Sequence, residues 1–576
     1  MIRARIRYLV PLLLLVVLGG TFAWLRWRPS PPLVVARDTT YLTTHLLDDG
    51  GPDYYAYLRE RNREGVTPEN NAAVLIVQAV GPPELAPEDR EAWFAELGSD
   101  PLPEGGDYLV EPNDGEYLQS GAYWCTDQFL ATLDENDDEA VALDAAGNFE
   151  RRYEAIVQAA MKQPWTPAEV PPLAEWLERS QPQLDLVVAA SQRARFYDPM
   201  VPRSSGRGQM LEALLAINDR LLLAARCLAV RAMGHVGEGR FPEAQRDILA
   251  LHRLARLLDQ PPNTLIDLVI SRSLAKLACD AHMALVSRPD CPPQIALESL
   301  QALESLKPVS AFAHALDEYE RFLMLDTALA AVRDPEFLEA MFNVSPRSLA
   351  GQFAGLSSID ANYVLRDLNA ICDQMVQIAR TEDRDTKIRL AAQLEDAVFE
   401  APRKDISTRV RRSLVSQQSR SEGFSYLLKL MMVPAVNGMI DVDARMEVEF
   451  RRLKVAFALA LYRADEGEYP ETLDALVPEL LNELPVDLFS GEGLKYERRG
   501  DGYLLYSVGR DGIDHGGHDE SGQVVAGEWV ADPLDAEEPS IDESDLVIRV
   551  PVPPLVVRHG EDGDVKETVA DEDAND

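Results

Sequence analysis

Eighteen consecutive residues near the start of the chain, Tyr8 to Leu25, carry no charge. A run of that length reaches the lower range of a helix that spans the hydrocarbon core of a bilayer. Arg3, Arg5 and Arg7 precede it, Arg26 and Arg28 follow it, and Trp24 and Trp27 sit where an interfacial aromatic belt belongs. The sequence therefore predicts an uncleaved anchor. A cleaved signal peptide is the competing reading, and Thr21-Phe22-Ala23 suits it poorly because the central residue is bulky. With the N-terminal amine, four positive charges precede the run. That slight excess predicts a single pass through a cytoplasmic (inner) membrane, with the N-terminus inside and the bulk of the chain extracytoplasmic.

Composition agrees with an exported body. Lys and Arg total 56 against 96 Asp and Glu, a formal charge of −40, and a surface so acidic repels the phosphates of nucleic acid. The five cysteines, Cys125, Cys227, Cys279, Cys291 and Cys372, show neither CxxC nor zinc spacing. They are expected to be buried small apolar residues, with a Cys279–Cys291 bridge left open.

Residues 1–28 thus form a cytoplasmic stub and anchor. A linker and small helical region follows over 29–119, with helices at Tyr54 to Arg63 and Glu69 to Val80, the second begun by Thr67 as cap and Pro68 in its first turn. From 120 to 440 the pattern is helix after helix, broken by Pro or Gly. Within it, Leu228, Ala232, Gly239, Phe241 and Ala244 take the offsets of one tetratricopeptide-like hairpin over 222–258, with Gly-Arg-Phe-Pro at the turn. No regular repeat continues it around Ala278, so an irregular α-solenoid or helical bundle is expected. The apolar stretch Tyr426 to Ile440 is interrupted by Lys429, Pro434 and Asn437 and reads as a core or amphipathic helix, not a second membrane span.

The region 441–532 changes character. Phe450, Leu453, Phe457 and Leu461 recur at spacings of three and four, predicting a helix over Met446 to Tyr462 that Gly467 and Pro470 stop. A second short helix is expected over Thr472 to Leu481. Two strands, Leu494 to Glu497 and Tyr503 to Val508, then flank Arg498 to Gly502, which predicts a hairpin with a bulged loop. The ordered set YRADEGEYP, LDALVP, LPVDLFSG, LKY, YLLYSVGRDG and an acidic glycine loop resembles the C-terminal domain of the major pseudopilin, the G subunit of type II secretion systems, over about 447–529. The resemblance implies a small α+β domain. It does not imply a pseudopilus, because the chain lacks the glutamate-bearing leader helix that leads into such domains.

The resemblance also implies a calcium ion in the loop Gly509 to Asp519. Asp511, Asp514 and Asp519 supply hard oxygen donors there, and the glycines permit tight turns. His515 and His518 would suit a transition metal instead. The same cluster could hold a metal-bound water in a hydrolase. Elsewhere no HExxH, Gly-x-Ser-x-Gly, Walker or dinucleotide signature occurs among the residues, so no catalytic residue is assigned and the enzyme reading stays secondary. The fold expected is mainly α. Its parts are an anchor, a helical body, a small α+β domain and, over 533–576, an acidic tail interrupted by the apolar island Leu546 to Val557. The function expected is a membrane-anchored scaffold or interaction protein with protein partners, or an accessory component of a secretion system.

Overall fold

The computed structural model describes residues 30–130, 149–202, 208–212, 217–260, 264–307, 312–333, 337, 359–400, 417–517, 523–525, 528–530 and 545–551. The expected anchor, the stretch 518–522 and the tail beyond 551 lie outside them.

The protein is mainly α-helical. In chain order the longer helices are α1 (Tyr54–Arg63), α2 (Ala72–Val80), α3 (Pro87–Leu97), α4 (Gly115–Leu130), α5 (Phe149–Ala160), α6 (Pro171–Ser191), α7 (Asn218–Gly237), α8 (Phe241–Leu258), α9 (Leu265–Val286) and α10 (Pro293–Ser305). They continue with α11 (Arg321–Arg333), α12 (Ala361–Arg380), α13 (Arg384–Glu395), α14 (Gln417–Met432) and α15 (Val436–Glu466). Local chemistry fixes many starts. Proline occupies the first turn of α3, α6, α8 and α10, where its missing N–H costs nothing. Thr264 and Asp267 form a reciprocal capping box at α9, and Asp360 caps α12. At α2 the cap is Asn71, not Thr67: its Oδ1 accepts from Ala73 N while its Nδ2 donates to Tyr197 O across the fold. Such caps contribute about 1 kcal/mol each.

Two apolar cores organise these helices. The first takes in α2, α3 and α5 to α10, and the hairpin α7–α8 sits at its centre. There Gly237 ends α7 against Trp165, whose carbonyl oxygen would lie 2.0 Å from an added Cβ. The second core gathers α1, α11, α12 and α14. Helix α15 serves both. Val436 and Ile440 at its start belong to the second core, and Met446, Leu453, Phe457 and Leu459 belong to the first. The helix thus runs unbroken through position 441, where the sequence suggested a domain boundary, because no Pro or αL residue interrupts it before Gly467 at φ +83. Pro434 does break the apolar stretch 426–440, into the end of α14 and the start of α15. By length and composition alone, one 18-residue window within Gln417–Glu466, the α14–α15 stretch, is the single segment among the described residues apolar enough to cross a membrane.

After α15 the chain forms a three-stranded antiparallel sheet in the order β1 (Lys495–Arg499), β2 (Gly502–Ser507) and β5 (Leu546–Val550). A separate hairpin pairs β3 (Gln523–Val525) with β4 (Glu528–Val530). Arg499 faces Gly502, so the β1–β2 loop has two residues and no bulge, with Gly500 at φ +56 where a primed turn needs a positive φ. The island at 546 becomes a strand that completes the far edge of β2. The second helix expected at 472–481 is reduced to one 3₁₀ turn, Leu473–Leu476. Pro478 explains this: it holds Val477 extended at φ −109, ψ 135 and removes an N–H. All five cysteines are unpaired, and all but Cys291 are buried.

Candidate functional site: the glycine loop and the strapped face

Strand β2 delivers the chain into the loop that the sequence singles out. Asp511 accepts from Ile513 N at 3.0 Å and lies 2.8 Å from Nε2 of His515. Asp514 accepts from Gly516 N and from the Tyr506 hydroxyl, both at 2.9 Å. The bond from His515 holds the Asp511 carboxyl below its usual range, and the Gly516 N–H, followed by Tyr506, does the same for Asp514. Both carboxylates are ionised at neutral pH and face solvent. His518 and Asp519 lie outside the described residues, so the structure brings together Asp511, Asp514 and His515 only. Among the described residues no group of three or more His, Cys, Asp or Glu is arranged to hold a metal ion.

Two carboxylates outside the predicted site residues fix this loop from beneath. Asp487, 1% exposed, accepts from Phe489 N, Val508 N and the hydroxyls of Ser490 and Ser507. Asp545, just before β5, accepts from Gly517 N at 2.6 Å and His515 N at 3.4 Å, and burial raises its pKa. Arg549 donates to the Gly517 carbonyl. The loop is thereby clamped at both ends by groups 20 to 32 residues away in sequence.

A second constellation lies on α12. Residues 32–41 run along this helix as a strap. Val34 N donates to Asn362 Oδ1 at 2.7 Å, and Asn362 Nδ2 returns a bond to Pro32 O at 2.9 Å. Arg366 pairs with Asp38 at 2.7 Å, and Asn369 Nδ2 donates to Thr39 O at 2.5 Å. The strap ends at Tyr41, which has φ 57, a conformation few non-glycine residues adopt. The Tyr41 hydroxyl donates to Asp317 at 3.0 Å, while Arg37 and Arg321 lie over its ring at 4.5 and 4.2 Å. Arg321 is 1% exposed and bonds Asp317, Asp373 and Asn369. Burial raises the Asp317 carboxyl, but the bond and charge of Arg321 outweigh it and leave the group below its usual range. Arg37, Tyr41, Asp317, Asp373, Gln377 and Arg380 line a cavity of about 470 Å³ here. The guanidiniums of Arg37 and Arg380 and the carboxylates of Asp317 and Asp373 can hold polar groups in place there.

No family model, curated protein or solved structure matches the chain.

Proposed function

We propose that the protein is a membrane-anchored extracytoplasmic scaffold or interaction protein, in which a helical body carries a C-terminal module similar to the major pseudopilin domain. The observation that supports this reading best is the strap. A body fixed to the chain close to its anchor is held near the membrane, and Asn362, Arg366 and Asn369 fix residues 32–39 within a few residues of the apolar run. In this reading the glycine loop is a recognition feature, stiffened by calcium through Asp511, Asp514 and Asp519.

The metal-dependent hydrolase alternative uses the same loop with His515 and His518. Its support is smaller: Asp511 and Asp514 already accept bonds within an exposed loop, whereas a catalytic metal works in a dry cavity with its ligands oriented from behind. A role beside secretion subunits is the third reading, and neighbouring secretion genes would support it.

Cell fractionation with protease shaving tests the main reading. The full chain should pellet with membranes, resist alkaline extraction and be cleaved only from the outer face. A full chain recovered in the soluble fraction with residues 1–25 still present would overturn the anchor.

A further inference from the structure

Helix α12 is 20 residues long, about 30 Å at 1.5 Å per residue, and it separates two features. At its N-terminal end three chain segments meet: Pro32 and Val34 bond Asn362, and the backbone N–H of Asp360 donates to the Ser421 hydroxyl at 2.9 Å. At its other end the chain turns into α13, whose first residue, Arg384, lies over the Phe489 ring at 5.1 Å and 3.8 Å from Asp441. Asp441 in turn pairs at 2.8 Å with Arg510, which opens the glycine loop. The strap enters at one end of α12, and the glycine loop sits beyond the other.

We propose that the pole formed by Pro32, Val34, Asp360, Asn362 and Ser421 rests on the lipid surface, and that α12 carries the glycine loop away from it. This rests on the reading of Tyr8 to Leu25 as the anchor. Six residues lie between Leu25 and Pro32, a tether of at most about 25 Å fully extended. About 5 to 7 Å of that is spent crossing the head groups. A folded body of this length has a radius of gyration of about 24 Å, so a tether this short, bonded to the surface at its far end, does not let the body turn over. Val34 remains 46% exposed at this pole, an apolar tip beside the interface.

The test uses the full chain in vesicles of phosphatidylethanolamine and phosphatidylglycerol that contain a head-group quencher. A fluorophore is placed on Gln418→Cys, exposed at the pole but remote in sequence from the anchor, or on Ile513→Cys in the loop, both with Cys291→Ser to silence the one native thiol that is not buried. Flotation of the vesicles reports anchoring separately. Floating protein with quenching at 418 at least about threefold that at 513 is the expected result. Floating protein with equal quenching, or more at 513, would overturn the orientation and leave the anchor standing. Protein that fails to float would overturn the anchor itself.

Discussion

Nε2 of His252 on α8 and Nδ1 of His282 on α9 lie 3.0 Å apart, fully buried, with their rings stacked at 5.0 Å and with Phe450 and Phe457 against them. One hydrogen bond joins the pair, and the outer nitrogens, His252 Nδ1 and His282 Nε2, have no partner. Burial therefore pushes His252 well below its usual pKa and His282 down to about 3. Both rings are neutral in the fold, while in the unfolded chain they take up protons below about 6.5. Stability is thus complete above that value and falls as pH drops from about 6.5 toward 3, by about 1.4 kcal/mol per pH unit for each extra proton bound by the unfolded state. Urea midpoints should decrease between pH 7.5 and 5.5, and the double variant His252→Phe, His282→Phe should flatten that decrease. A wild-type midpoint that does not move over this range contradicts the prediction.

Asp545→Ala should loosen the glycine loop. It removes the acceptor for Gly517 N and His515 N and leaves a buried N–H unpaired, a loss of about 1–3 kcal/mol. Hydrogen exchange at 515–517 should accelerate by more than tenfold while exchange in α12 is unchanged. Asp545→Asn, which keeps one carbonyl oxygen, should lose less.

Gly237→Ala should be among the most damaging single-methyl additions in the body. The new Cβ would meet the Trp165 carbonyl at 2.0 Å, a backbone group that cannot rotate aside. The expected loss is about 3 kcal/mol, at the upper end for overpacking, visible as a lower urea midpoint with the slope retained. Gly438→Ala, which meets nothing within 4 Å, is the control that should change little.

If the loop binds calcium as proposed, thermal stability should depend on the ion. At one hundred times its dissociation constant, calcium should add about 2.7 kcal/mol, and the gain should survive His515→Ala but not Asp514→Ala. Stoichiometric zinc that is lost with His515→Ala or His518→Ala would favour the hydrolase reading instead. Elemental analysis of the purified full chain distinguishes the two.

What was legible in the sequence followed from local rules. The span Tyr54–Arg63, the α7–α8 hairpin and the β1–β2 pair each carry their own periodicity and turn residues, so neighbours in sequence sufficed to find them. The α2 cap went to Asn71 because only its side chain also reaches Tyr197, a contact between residues 126 positions apart. The same limit hid the features around the candidate site. Asn369 meets Thr39 across 330 positions, and Asp545 meets Gly517 across 28. Neither asparagine nor aspartate at those positions departs from ordinary helix-surface or turn chemistry, so no local pattern distinguishes them. Loop residues Asp511 and Asp514 were visible as a cluster, but their engagement with Ile513 N, Gly516 N and Tyr506 depends on the folded loop.

The position of β5 has a consequence for the order of synthesis. Strand β2 lies in the middle of its sheet, yet the partner on one side leaves the ribosome directly before it and the partner on the other side only some forty residues later. A nascent or prematurely terminated chain lacking residues 545–550 would expose one edge of β2 with its amide and carbonyl groups unpaired, an open template for a second copy. The C-terminal strand therefore acts as a completion check: aggregation should mark truncated chains, and only chains translated through Val550 should leave that edge closed.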